Sequence, residues 1–237
     1  MSNPILTVSG LNAFYDRAHI LFDVALELQP GEVMALLGRN GAGKTTTLKS
    51  IMGMLRPIEG EISFAGRRID KEPSYRISRL GLGYVPEERR IFTELTVLEN
   101  LDVGRRGAPP GVAPWTLARI FDLFPNLAEM RSRPGGRMSG GEQQMLAIAR
   151  TLMGNPSLIL LDEPSEGLAP RIVDQLAAAI RDLRQQGLAV IISEQNLHFA
   201  TGVADRAAII EKGCIRYAGS MAELARNPAL QGEYLSV

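Results

Sequence analysis

Val33-Met34-Ala35-Leu36-Leu37 runs without a break into Gly38-Arg39-Asn40-Gly41-Ala42-Gly43-Lys44-Thr45. The five apolar residues read as a short strand buried on both faces, as strands of a parallel sheet are. The next eight fit a pattern of two glycines bracketing four residues, then Lys and Ser or Thr. That pattern is a phosphate-binding loop when a strand precedes it and a helix follows. A helix is expected here from 44 to about 55. Gly41 and Gly43 let the backbone turn its N–H groups inward, and the helix N-terminus adds partial positive charge at the same spot. Lys44 is then expected to reach the β- and γ-phosphates, and the Thr45 hydroxyl to ligate Mg²⁺. The competing reading is a chance Gly-rich turn.

Downstream, Ser157-Leu158-Ile159-Leu160-Leu161-Asp162-Glu163-Pro164 is a second buried strand, one that ends on two acids. Parallel sheets bind ligands at the carboxyl ends of their strands. Asp162 is therefore expected to hold Mg²⁺, and Glu163 to activate an attacking water as general base. Acids in this position also serve as plain helix N-caps. Residues 5–8 and 20–28 read as further strands, the latter alternating Ile20, Phe22, Val24, Leu26 and Leu28 toward one side. Pro30-Gly31 marks a turn, 60–66 a hairpin strand, and 81–85, 189–192 and 207–210 buried strands. Between about 96 and 153 the pattern turns helical. Thr96-Val97-Leu98-Glu99 fits a capping box, 115–124 has helical apolar spacing, and 107–114 is a loop. Alternating βα units imply an α/β fold with a parallel sheet flanked by helices. One domain over 1–237 is expected, with a helical subdomain inserted at about 88–153.

The chain has 237 residues, 45% of them hydrophobic, with 26 basic and 26 acidic side chains. That balance gives no sign of a nucleic-acid-binding face. Cys214 is the single cysteine, read as a small half-buried strand residue without a redox role. The opening MSNPILTVSG has neither a basic segment nor a long apolar one, so no signal peptide is expected. The apolar runs are strand-sized, whereas a membrane span needs about 20 apolar residues. A cytoplasmic chain is expected, with any membrane role assigned to other chains. His19 and His198 read as surface helix residues.

Met138-Ser139-Gly140-Gly141-Glu142-Gln143-Gln144-Met145-Leu146-Ala147-Ile148-Ala149-Arg150-Thr151-Leu152-Met153 lies between the two acid- and glycine-bearing segments. Ser139-Gly140-Gly141 opening a helix is either an ordinary N-cap or a second anion site. In the order loop, SGG-helix, strand plus DE, the sequence resembles the ABC ATPase family over essentially its whole length. The resemblance implies a P-loop NTPase core of mainly parallel sheet, an N-terminal antiparallel β subdomain and the inserted helical subdomain. It implies two ATPase domains facing head to tail, with the P-loop of one and the signature of the other clamping each ATP. Carried over, Gly38, Arg39, Asn40, Gly41, Ala42, Gly43, Lys44, Thr45 and Thr46 bind nucleotide. Ser139, Gly140, Gly141 and Glu142 then serve the partner's ATP, and Tyr15 either stacks on adenine or simply packs.

Three positions depart from the usual family pattern. Glu87, in Val85-Pro86-Glu87-Glu88-Arg89-Arg90, stands where most members have Gln, offering Mg²⁺ a carboxylate beside the triphosphate. Arg89 and Arg90 either offset that charge or are solvated surface arginines. Gln195, in Ser193-Glu194-Gln195-Asn196, replaces the usual His. It can donate to the γ-phosphate but carries no proton or charge; it is otherwise a helix cap. Ala169 replaces an Asp. These features resemble one ATPase of the branched-chain amino acid importers, with urea and short-chain amide importers close by. The resemblance implies a peripheral place on the inner face of the membrane. It also implies a second ATPase subunit of the same or a different chain, two transmembrane permeases and, indirectly, a substrate-binding protein. A free-standing exporter motor and a soluble non-transport ATPase are the alternative readings.

Overall fold

The computed structural model describes residues 3–235; the first two and last two residues of the expected 1–237 domain lie outside the described residues. Leu6–Tyr15 (β1), Ala18–Leu28 (β2), Val33–Leu37 (β3), Lys44–Ile51 (α1), Pro57–Phe64 (β4), Arg67–Arg68 (β5), Ser74–Arg79 (α2) and Leu82–Val85 (β6) come first. Four helices follow without an intervening strand: Val97–Gly104 (α3), Leu117–Leu123 (α4), Pro125–Glu129 (α5) and Gly140–Leu152 (α6). The chain then returns to alternation through Leu158–Asp162 (β7), Pro170–Gln185 (α7), Ala189–Glu194 (β8), Leu197–Val203 (α8), Arg206–Glu211 (β9), Cys214–Ser220 (β10), Met221–Ala225 (α9) and Pro228–Tyr234 (α10).

Six strands form the main sheet in the order β10-β9-β3-β8-β7-β6, parallel except where β10 runs against β9. Period-2 alternation sorts its side chains between two cores. Val33, Ala35, Leu37, Ile159, Leu161, Val190 and Ile192 face the cluster built with α3 to α9. Met34, Leu36, Leu158, Leu160, Ala189 and Ile191 face the cluster that holds α1 and the second sheet. That second sheet, β2-β1-β4-β5, is antiparallel. Helices therefore cover one face of the main sheet, and α1 with the antiparallel sheet covers the other.

Several local expectations are corrected. In β2 the buried residues are Leu21, Val24, Leu26 and Leu28, while Phe22 is exposed. Asp23, at φ +50°, forms a bulge against β1, and one extra residue reverses which side chains face inward. β1 continues from 8 to Tyr15 through a register shift beside Gly10 (φ +61°). There Gly60 crosses so closely that a Cβ on it would lie 2.5 Å from the Gly10 carbonyl. The hairpin joins β4 to β5 through Ala65 and Gly66, both at positive φ, as a tight primed turn requires. Helix α1 stops at Ile51 instead of near 55, ahead of Gly53 at φ +67°. His19 lies in β2, not in a helix, half-buried and stacked between Phe14 and Phe22. His198 is exposed on α8, and Cys214 half-buried in β10. The Thr96 capping box is present: Thr96 N–H donates to Glu99 Oε2 at 2.8 Å, and Glu99 N–H returns to Thr96 Oγ1 at 3.3 Å. Among the described residues, no helix is long and apolar enough to cross a membrane.

Candidate active site

The strands β3, β8, β7 and β6 are neighbours and end together, so the loops that follow them meet at one edge of the sheet. Gly38 leaves β3 where a Cβ would lie 2.4 Å from the Ile210 carbonyl oxygen. Gly43, at φ +116°, caps α1 in a conformation that L side chains rarely adopt, and a Cβ there would strike Leu21. Gly41 sits exposed at φ +76° with open space around it. The loop so formed leads its backbone into the α1 N-terminus, the geometry that cradles anions. Ala42 and Thr46 are buried beneath it, while Arg39 and Asn40 are exposed at its rim.

Lys44 is 3% exposed, and its ammonium donates to the carbonyls of Gly38 at 2.8 Å and Arg39 at 3.1 Å. Its Nζ also lies 3.0 Å from Glu163 Oε1, a buried ion pair. Glu163 sits just past β7 at φ +45°, a strained region that costs about 1–3 kcal/mol for a non-glycine residue. The Ser193 hydroxyl accepts from Glu163 N–H at 3.0 Å and helps fix that turn. Gln195 completes the arrangement. Its Nε2 donates to Asn40 Oδ1 at 2.6 Å and to Glu163 Oε2 at 3.1 Å. Asn196, not Gln195, caps α8 by accepting from Phe199 N–H, so the helix-cap alternative for Gln195 does not hold.

Asp162, 1% exposed, receives three hydroxyls. Thr45 Oγ1 and Ser193 Oγ donate to its Oδ1 at 3.0 and 2.6 Å, and Tyr84 donates to Oδ2 at 3.0 Å. Thr45 and Asp162, expected as metal ligands, are thus in contact. Their oxygens are a hard donor set, the type Mg²⁺ takes. Glu87, the third expected ligand, is exposed on the loop after β6, and its charge is felt at Glu166. Burial pushes the Glu163 carboxyl up, but hydrogen bonds from Glu166, Lys44 and Gln195 and the Lys44 charge hold it net below the usual carboxylate range. Glu166 is pushed up to about 7 by its hydrogen bond with Glu163, then by burial and the charges of Glu163, Glu87 and Glu194. Of the two carboxyls Glu166 therefore holds a proton more readily, and Glu163 is the one favoured as the carboxylate.

Two expected groups lie outside this constellation. Ser139 caps α6 in a capping box: its N–H donates to Glu142 Oε2 at 2.7 Å, and its Oγ accepts from Glu142 N–H at 3.4 Å. Within the chain the SGG segment is thus an N-cap, and it hydrogen-bonds to none of Lys44, Thr45, Asp162 or Glu163. Ser139 is exposed, Gly140 half-buried and Gly141 buried against Ile172. Tyr15 ends β1 at the tip of its hairpin, 44% exposed. The two readings of the arginines also separate. Arg90 is exposed and 3.6 Å from Glu88. Arg89 is half-buried at φ +62°, its guanidinium so close to Gly140 that a Cβ there would lie 2.8 Å from Nη1. It supports the α6 N-terminus and forms no ion pair with Glu87 among the described residues. Sequence reasoning missed Ser193 and Tyr84. Ser193 stands opposite Asp162 in the β7–β8 register, a pairing detectable once the two strands are aligned as neighbours.

Beside the Glu87 loop a groove of about 460 Å³ opens between α2, β6, α3 and α6. Met54, Tyr75, Phe92 and Val103 expose apolar surface into it, among Arg90, Arg106 and Arg150; among the described residues that line it none is acidic. Arg150 lies over the Phe92 ring and donates to the Arg90 carbonyl at 2.7 Å.

The comparisons with known proteins agree with this geometry. The family model described as ABC transporter matches residues 21–166. The branched-chain amino acid transport ATP-binding protein BraG of Pseudomonas aeruginosa is 41% identical over 98% of this chain and 99% of its own. The lipopolysaccharide export ATP-binding protein LptB of Haemophilus influenzae is 36% identical over 98% and 97%. An ATP-binding cassette of an ABC transporter, solved in its ADP conformation, superposes with a TM-score of 0.85 at 24% identity over 98% of this chain and 97% of that one. The chain belongs to the ABC transporter family, as one of its ATP-hydrolysing subunits.

Proposed function

We propose that the chain is the motor of an importer for branched-chain or other hydrophobic amino acids. In this reading it works on the cytoplasmic side of the membrane as a single ATPase unit, with residues 88–153 as its helical subdomain. It pairs with a second ATPase subunit, the same or a different chain, and drives two membrane permeases fed by a substrate-binding protein. The observation that carries the ATPase chemistry is the buried Lys44–Glu163 pair with Gln195 donating to the same carboxylate. Import rather than export is favoured by the 41% identity to the branched-chain amino acid protein over nearly the whole length.

The chain's own residues divide the work. The loop 38–45 and the α1 N-terminus bind the phosphates, and Lys44 moves its charge from Glu163 to the terminal phosphates. Thr45 and Asp162 would hold Mg²⁺, with Glu87 at its margin. When bound, the metal would neutralise charge on the phosphate oxygens. Glu163, kept ionised by its neighbours, takes the proton of the attacking water, and Gln195 fixes its orientation. Tyr15 stacks on the adenine. Ser139, Gly140, Gly141 and Glu142 turn the α6 N-terminus toward the nucleotide held by the partner. The apolar, arginine-lined groove receives a helix of a membrane permease; its exposed aromatic and aliphatic side chains are unusual on a surface left to water.

A second reading, export of lipopolysaccharide, rests on the 36% identity to the export subunit. Removing the chain from its native cell separates the two. Loss of labelled leucine uptake supports the importer; intact uptake with failed lipopolysaccharide delivery supports the exporter. If both functions survive, both readings fail.

A further inference from the structure

Tyr84 belongs to neither the glycine loop nor the acidic strand end, yet it touches the centre of the site. It lies in β6, the edge strand of the main sheet, opposite Leu160 of β7. Period 2 puts Leu82 and Tyr84 on the α1 side of the sheet, and Val85 on the other. The ring packs half-buried against that cluster, and one side of it forms part of the groove wall near Met52, Pro86 and Phe92. From there the phenol reaches across to β7 and donates to Asp162 Oδ2 at 3.0 Å.

The two oxygens of Asp162 are served unequally. Oδ1 accepts from Thr45 and Ser193, whereas Oδ2 has Tyr84 as its one hydrogen-bond donor among the described residues. A carboxylate on a strand end can rotate about its terminal torsion, which is broad for this side chain. Donors on both oxygens fix the plane; a donor set on one oxygen leaves it free to tilt. A phenol, with an ordinary pKa of about 10, carries its proton at physiological pH and so can donate.

We propose that Tyr84 is a positioning residue for the metal-holding carboxylate: its hydroxyl, anchored in the groove wall, fixes Asp162 in the orientation that receives Mg²⁺ with nucleotide. This rests on the ATPase reading of the site and on Asp162 as a metal ligand. It does not depend on what the transporter carries. Partners that orient a metal ligand from behind typically contribute a factor of about 10–100 in metal affinity or activity.

The test is Tyr84→Phe, which keeps the ring and removes the one oxygen. Binding of ATP to the full chain is measured by calorimetry with Mg²⁺ and again with EDTA, alongside the melting temperature. The expected result is unchanged affinity in EDTA, an unchanged melting temperature and about tenfold weaker binding in Mg²⁺. Tyr84→Leu, which loses the ring as well, should show at least the same loss of Mg²⁺-dependent affinity. Equal affinities of the natural and Tyr84→Phe proteins in Mg²⁺ would overturn the proposal, since the ring would then be only a wall. An equal loss with and without Mg²⁺ would also overturn it, as a general disturbance of the pocket. If the unaltered protein binds ATP no better with Mg²⁺ than with EDTA, the metal reading of Asp162 fails, and this proposal with it.

Discussion

Replacing Gln195 by Ala removes one amide that holds two groups at once. Its Nε2 bridges Asn40 Oδ1 at 2.6 Å and Glu163 Oε2 at 3.1 Å, tying the phosphate loop to the base through the residue that directly follows β8. A hydrogen bond to a charged group contributes about 1.5–3 kcal/mol. Gln195 is exposed to water, so the lower end applies. About 1.5 kcal/mol corresponds to roughly a tenfold fall in turnover. Binding of nucleotide to the isolated chain should change little, because Lys44 and the loop backbone remain in place. Gln195→Glu should be worse than Ala, since it sets a second carboxylate beside Oε2 of Glu163. Gln195→His should introduce a pH dependence between about 6 and 7.5 that the natural residue, which does not titrate, lacks. Steady-state hydrolysis by the assembled dimer across pH 6–8.5, with nucleotide affinity measured separately on the monomer, reads all three. Equal turnover for the natural, Ala and Glu proteins would refute the reasoning. So would an Ala defect that appears wholly as lost affinity.

Three further outcomes follow from the same geometry. Ser139→Arg should abolish hydrolysis by the dimer while leaving calorimetric ATP affinity of the monomer unchanged, because among the described residues the hydrogen bonds of Ser139 stay within its own α6 N-terminus. Gly43→Ala should lose ATP binding and about 1–3 kcal/mol of stability in denaturant titration, since φ +116° is strained for any side chain and the new Cβ meets Leu21. Glu166, raised in the folded state to about 7, binds its proton more tightly folded than unfolded. Its contribution to stability is therefore present below the ordinary glutamate pKa and lost as pH rises through about 7. The melting temperature of the natural protein should fall between pH 5 and 8 more steeply than that of Glu166→Gln.

The parts of the site legible in the sequence are those whose chemistry is contiguous. Gly38 to Thr45 must alternate small and charged residues within one turn of chain, and Asp162-Glu163 must end a strand, so both appear as motifs. Tyr84 and Ser193 do not, because they reach Asp162 across 78 and 31 residues and their role exists only through sheet register. Gln195 stands out as a departure from a pattern, yet its partner Asn40 lies 155 residues away, visible only after folding. The fold is similarly uneven. Buried parallel strands declare themselves by unbroken apolar runs, whereas β1 past residue 8 and the inward face of β2 are decided by bulges at Gly10 and Asp23. The arginines mislead for the opposite reason: Arg89 looks like surface by type, and packing against Gly140 half-buries it.

The central claim is that Glu163, oriented by Gln195 and released by Lys44 as that ammonium turns to the phosphates, is the base for ATP hydrolysis. Glu163→Gln keeps the shape and removes the proton acceptor, so turnover by the assembled dimer measured against ATP binding by the same preparation tests it most directly. The account predicts retained ATP binding with turnover reduced by at least about 100-fold, the scale of general-base catalysis. A variant that binds ATP and still turns over at more than about a tenth of the natural rate, a deficit below about 1.4 kcal/mol, would contradict it.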